Sequence, residues 1–176
     1  MTHRLAVLIS GTGSNLQAIV DAIDAGELPA RISLVLSNKA GAAGLARAER
    51  AGVPAEAIDH RGFPDRAAFD QAMIERIDAH GADTVVLAGF MRILSPGFVR
   101  HYQGRLINIH PSLLPKYPGL NTHARALEAG DQEHGCSLHF VTDELDGGPL
   151  IAQARFPVTA HDSAETLSKK AQAQEH

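Results

Sequence analysis

Short apolar runs alternate with helix-patterned segments along most of this chain, and few folds accommodate that alternation. Leu5-Ala6-Val7-Leu8-Ile9 is a continuous apolar run closed by Ser10-Gly11, as expected of a strand buried on both faces. Residues 15–25 follow with Leu16, Ile19, Val20 and Ile23 at helical spacing, and Gly26 ends the pattern. Ile32-Ser33-Leu34-Val35-Leu36 reads as the second strand and 42–51 as the second helix, stopped by Gly52. A third helix is expected over 65–80, where Phe69, Met73, Ile74 and Ile77 share one face before Gly81. Strands are expected at 84–88 and 106–110, with Ser95 as an N-cap and Pro96 as the first helical residue between them. Beyond His110 the pattern loosens. Proline and glycine dominate 111–119, marking a candidate mobile cover. A short helix near 122–128 and strand-like runs at 136–141 and 150–156 follow. The closing helix, 163–176, carries a thin apolar stripe of Ala164, Leu167 and Ala171. Such alternation implies parallel strands with helices on both faces. The expected fold class is α/β, a doubly wound, mostly parallel sheet in a single domain over 1–176.

Composition narrows the function classes. The formal net charge of -4 supplies no basic field for nucleic acid or an anionic membrane, and no apolar run approaches spanning length. A single cysteine, Cys136, rules out an internal disulfide and fits a reducing cytoplasm. The ten histidines show no His-x-x-x-His spacing, so no metal is expected. His101, His123, His134, His139 and His161 read as surface or capping residues without clustered partners, and Cys136 as a small buried hydrophobe.

Three strings carry chemistry. Ser10-Gly11-Thr12-Gly13-Ser14-Asn15 joins the first strand to the first helix, where ligands bind in parallel sheets and a helix start attracts phosphate. The third glycine of a dinucleotide fingerprint is replaced by Leu16, and Asn38 rather than an acid follows the second strand, so NAD does not fit. The other reading is a tight turn in which Ser or Asn caps the helix. Asn108 and His110 stand two apart on a strand end and leave by the same face. They pair a donor amide with an imidazole, suiting an oxyanion and a proton transfer, or else they satisfy loop backbone. In 143–149, paired glycines and a proline fix a loop whose acids either reach His110 or form a solvated turn.

Taken together, Gly11–Ala18, Gly89-Phe90-Met91-Arg92-Ile93-Leu94, Asn108-Ile109-His110-Pro111-Ser112-Leu113-Leu114-Pro115 and Asp143–Gly148 resemble the phosphoribosylglycinamide formyltransferases of the folate-dependent formyltransferase family, from Leu5 to His176. The resemblance implies a Rossmann-like fold and transfer of a formyl group from 10-formyltetrahydrofolate, as co-substrate, to the amine of glycinamide ribonucleotide. It implies a catalytic trio of Asn108, His110 and Asp146. For the ribonucleotide it implies Gly13, Ser14, Asn15 and Glu175. For the folate it implies Arg66, Met91, Arg92, Ile93 and Leu94, with Asn108 and the pterin loop from Val141 to Asp146. Expected partners are these small molecules alone, with no nucleic acid or membrane, in a cytoplasmic monomer or weak homodimer. The family continues past His176, so the chain is read as cut short. Two rivals are a formyltetrahydrofolate deformylase, whose relatives carry an additional N-terminal domain, and a non-enzymatic nucleotide-binding module.

Overall fold

The computed structural model describes residues 2–142 and 146–175. Its contacts divide the chain into two units, 1–106 and 107–176. In the first, strand β1 (His3–Ile9) buries every residue from Leu5 to Ile9, as its unbroken apolar run requires. Strands β2 (Ala30–Ser37) and β4 (Thr84–Leu87) flank it in parallel, and β3 (Ala55–Ala57) extends the parallel pairing outside β2. The order is β3-β2-β1-β4. With only Ala-Glu-Ala in it, β3 has no period to read and was missed.

Helices α1 (Ser14–Asp24), α2 (Ala43–Arg50), α3 (Arg66–Ala79) and α4 (Pro96–His101) fall within a residue of the expected spans where those were assigned. Leu16 and Val20 of α1 and Ala48 of α2 join Val7, Ile9 and Val35 in one buried cluster. Each fully buried aliphatic side chain of leucine size contributes about 2 kcal/mol. Of these four helices, α3 and α4 start on side-chain caps: Asp65 accepts from the Ala68 amide at 2.8 Å, and Ser95 Oγ from the Phe98 amide at 3.3 Å ahead of Pro96. The apolar face of α3 holds one residue the periodicity did not flag, the carboxylate of Asp70, which is 2% exposed.

In the second unit the parallel theme ends. Strand β5 (Leu106–His110) pairs antiparallel with β6 (Glu133–Phe140), and β6 antiparallel with β7 (Leu150–Pro157). Strand β6 starts three residues before the expected run because Glu133, His134 and Gly135 pair with Pro157, Phe156 and Arg155. Partner backbone, not apolar content, sets that end. Helix α5 is Thr122–Glu128, as expected. Helix α6 (Ala164–Glu175) packs on β6 and α5 and buries Leu167 and Ala171, so the thin stripe suffices for docking. Asp162 precedes it and accepts from Lys170 Nζ at 2.8 Å and the Thr159 amide at 2.8 Å. The Lys170 bond, then the amide, hold this carboxyl well below the usual carboxylate range.

The expectation of unclustered histidines is corrected here. His123 Nδ1 and His134 Nε2 lie 2.9 Å apart, and His134, 1% exposed, stacks edge-on against Phe156. His101 meets Asp78 at 2.7 Å. Periodicity cannot report such pairs because the chain folds between them. Burial, then the neighbouring His123, lowers the His134 pKa from 6.5 to about 4 against a smaller opposing pull from Asp131, and burial lowers His123 as well. An unfolded chain therefore binds protons here that the folded one refuses, and stability rises with pH over this interval. The contribution is complete above pH 6.5 and is lost as pH falls towards about 4. Thermal midpoints should drop across that window, and His134→Gln should flatten the dependence. An equally steep profile in the variant would assign the acid sensitivity elsewhere.

Among the described residues, no helix is long and apolar enough to cross a membrane, and no group of His, Cys, Asp or Glu is arranged to hold a metal.

Candidate active site

In the first unit, β1 delivers the chain at Ser10 and α1 receives it at Ser14. The turn between them leans on α2. Gly13 sits at φ 75 and is the N-cap of α1, with no side-chain cap, which corrects the reading that Ser or Asn caps this helix. A Cβ on Gly13 would come within 2.7 Å of Gly44 Cα, so backbone packs on backbone and only glycine fits. The Gly44 amide donates to the Gly11 carbonyl at 2.9 Å, and Arg47 Nε to the Thr12 carbonyl at 2.7 Å. The half-buried Ser14 and Asn15 open the helix, whose first amides and dipole favour an anion. Arg47 adds a cation that the sequence reading missed, because an arginine in an ordinary helix carries no signal by itself.

In the same unit, 89–95 links β4 to α4. Met91 and Ile93 are 65% and 64% exposed, so neither is core. Arg92 lies over the Phe69 ring at 5.7 Å, and Leu94 is half-buried. Arg66, the first residue of α3, is exposed.

The second unit builds a tighter cluster. Asn108 and His110 alternate with Ile109 on β5 and so share a face. The antiparallel register sets His139 opposite Asn108 and Ser137 opposite His110. His139, expected to be without a partner, is buried, and its Nε2 lies 3.2 Å from Asn108 Nδ2. Its Nδ1 lies 2.9 Å from the Phe140 carbonyl and must donate there, so Nε2 is left to accept from the Asn108 amide. That assignment orients the amide and leaves Asn108 a second N–H.

His110 is held at both nitrogens. Nε2 lies 2.9 Å from the Tyr117 carbonyl, and Nδ1 3.4 Å from Asp146 Oδ1. Both neighbours are acceptors: the Tyr117 carbonyl takes a proton from Nε2, and the Asp146 carboxylate stands within ion-pair range of Nδ1. Asp146 also accepts from the Gly119 amide at 2.8 Å and lies 3.8 Å from His139 Nε2. It adopts φ 52, a left-handed conformation that Asp tolerates better than most residues and that turns its carboxylate into the cluster. The structure thus brings Asn108, His110 and Asp146 together, with His139 as a fourth member.

Val141 follows β6, half-buried, whereas the expected acids Asp143 and Glu144, with Leu145, lie outside the described residues. Glu175 closes α6. Burial, then the Glu175 charge, push the Cys136 thiol up to about 11, so it is an inert buried side chain as expected.

Comparison with known proteins adds an independent line. The family model described as formyl transferase matches residues 3–176. The chain is 58% identical over 172 residues to phosphoribosylglycinamide formyltransferase of Escherichia coli K12, covering 98% of this chain and 81% of that one. Among solved structures it is similar to glycinamide ribonucleotide transformylase 1 of Symbiobacterium toebii, with a TM-score of 0.97 and 47% identity over 99% of this chain and 82% of that one. It is also similar to phosphoribosylglycinamide formyltransferase of Coxiella burnetii, with a TM-score of 0.95 and 54% identity over 99% and 82%. The α/β fold class with its mostly parallel sheet is therefore the one expected from the sequence.

Proposed function

The chain belongs to the formyl transferase family, and from that premise we infer that it moves the formyl group of 10-formyltetrahydrofolate to the amine of 5-phosphoribosylglycinamide in purine synthesis. The observation that carries the mechanism is His110 between two acceptors beside an oriented Asn108 amide. The amine nitrogen attacks the formyl carbon, a C–N bond forms, and the carbonyl electrons collect on oxygen. The second N–H of Asn108 and the proton on His110 Nε2 are donors for that oxyanion. One preorganised donor is worth about 10²–10³ in rate. For Nε2 to serve, the Tyr117 carbonyl gives way, so 111–121 shifts during turnover. Collapse breaks the bond to the folate nitrogen, which takes up the proton the amine releases, with Asp146 holding His110 and assisting that transfer. The folate carries the one-carbon unit, and the protein supplies orientation and electrostatics.

Binding roles follow the same reading. Gly13, Ser14 and Asn15, with Arg47 behind them, take the phosphate, and Glu175 the ribose. Met91 to Leu94, Arg66, Asn108 and Val141 to Asp146 take the folate. The formyltransferase unit occupies 1–176, and we place it in the cytoplasm as a monomer or weak homodimer.

A formyl-transfer assay tests the reading. Tetrahydrofolate should appear only when glycinamide ribonucleotide is present, in equal amount with formylated ribonucleotide. Release of formate at the same rate without the ribonucleotide would make the chain a deformylase. Ribonucleotide binding with no folate binding would make it a nucleotide-binding module.

A further inference from the structure

Two apolar side chains standing mostly in solvent, Met91 and Ile93, are carried by a loop whose backbone is tied at both ends to buried polar side chains. At one end, the Met91 amide donates to Ser10 Oγ at 2.9 Å. Ser10 is buried, and its hydroxyl proton is committed to Asn38 Oδ1 at 2.6 Å. A hydroxyl has one proton, so Asn38 fixes its direction and turns an oxygen lone pair towards Met91. At the other end, the Ser95 amide donates to Asp70 Oδ2 at 2.6 Å. That is a short charge-assisted bond to a carboxylate on the core face of α3. Ser95 in turn caps α4 through the Phe98 amide. Between the two ties, Arg92 lies over Phe69, the neighbour of Asp70.

A carboxylate is a costly choice for an apolar helix face, where a leucine would pack without desolvation. Nothing in the packing of α3 calls for it, since Phe69, Met73, Ile74 and Ile77 already bury that face. What Asp70 supplies is an acceptor for a loop amide. Ordering exposed side chains at the moment of binding costs affinity, and a loop held in place beforehand avoids that cost.

We propose that Asp70 and Ser10, the latter oriented by Asn38, are positioning residues that clamp 89–95 and hold Met91 and Ile93 ready for the folate. This rests on the reading of 91–94 as the folate groove. The clamp acts through the loop backbone and touches no reacting atom, so its loss is read in folate affinity rather than in the chemical step.

The experiment compares Asp70→Ala, Asp70→Asn and Ser10→Ala with the unmodified protein. Asp70→Ala should raise KM for the formyl folate about tenfold, the worth of one such hydrogen bond, with kcat and the ribonucleotide KM changed less than about twofold. Asp70→Asn keeps an acceptor oxygen and should recover most of the loss. A purely structural role would lower the thermal midpoint of Asp70→Ala with no split between the two KM values, and that result overturns the proposal. Should Asp70→Ala fail to fold, Ser10→Ala decides. It removes a single buried oxygen, and an unchanged folate KM there is equally fatal. Its ribonucleotide KM is not diagnostic, because Ser10 also opens the phosphate turn. Amide exchange separates this failure from failure of the functional reading. If the unmodified protein binds no folate, the groove assignment falls, yet exchange at Met91 should still speed up in Ser10→Ala and exchange at Ser95 in Asp70→Ala. Unchanged exchange in both means that no clamp exists.

Discussion

Asn108→Ala is expected to lower kcat for formyl transfer by about 10²–10³, the effect of removing one preorganised oxyanion donor. The ribonucleotide KM should stay within a few-fold, because a bond realised only in the transition state leaves ground-state binding alone, whereas the folate KM should also rise with the loss of the Asn108 contact in the folate groove. The geometry makes the variant informative. One Asn108 N–H is spent on His139 Nε2 at 3.2 Å, which fixes the amide and frees the other for the substrate oxygen. Truncation also strands that histidine nitrogen, but His139 retains its bond to the Phe140 carbonyl at 2.9 Å, so the ring should stay in place. Asn108→Asp keeps the shape and replaces the donor by an acceptor. It should be as inactive as the alanine variant. Steady-state kinetics on both proteins checks this, and an aspartate variant with near-normal kcat would remove Asn108 from the role of donor.

Ile93→Asp is expected to weaken binding of a folate analogue by at least about 100-fold, through lost apolar contact and a carboxylate forced against the heterocycle. Because Ile93 is 64% exposed, the substitution takes nothing from the core, and thermal stability should change by less than about 0.5 kcal/mol. Exposure is what makes the test clean: loss of binding cannot be attributed to unfolding. Ribonucleotide affinity should be unaltered, since its phosphate is assigned to the turn at Gly13. Calorimetric titration with each ligand reads both numbers. Folate binding at full strength in the folded variant would move the groove away from 91–94.

Some of this was legible in the residues alone. The alternation of apolar runs and helical periods determined the strand and helix positions, because burial on both faces of a strand and on one face of a helix is written locally, at spacings of two and of three to four. Ser95 and Pro96 marked a helix start for the same reason, since a cap bonds within its own turn. The pair Asn108 and His110 could be seen to share a face, and the turn at Gly13 could be placed at a strand-to-helix junction. The strings shared with a known family carried the functional expectation further than spacing could.

Tertiary structure decided what depends on partners far along the chain. Strand β3 exists because β2 offers it backbone, and the antiparallel β5-β6-β7 set has no signature that separates it from parallel strands. His139 became a partner of Asn108 through a register spanning 31 residues, and a slip of one residue would have turned it to the other face. Asp146 stands 3.4 Å from His110 across 36 residues of chain. Asp70, Asn38 and Arg47 looked ordinary in sequence. Each gained its role when a distant amide, hydroxyl or carbonyl was folded to within 3 Å of it, which local periodicity does not encode.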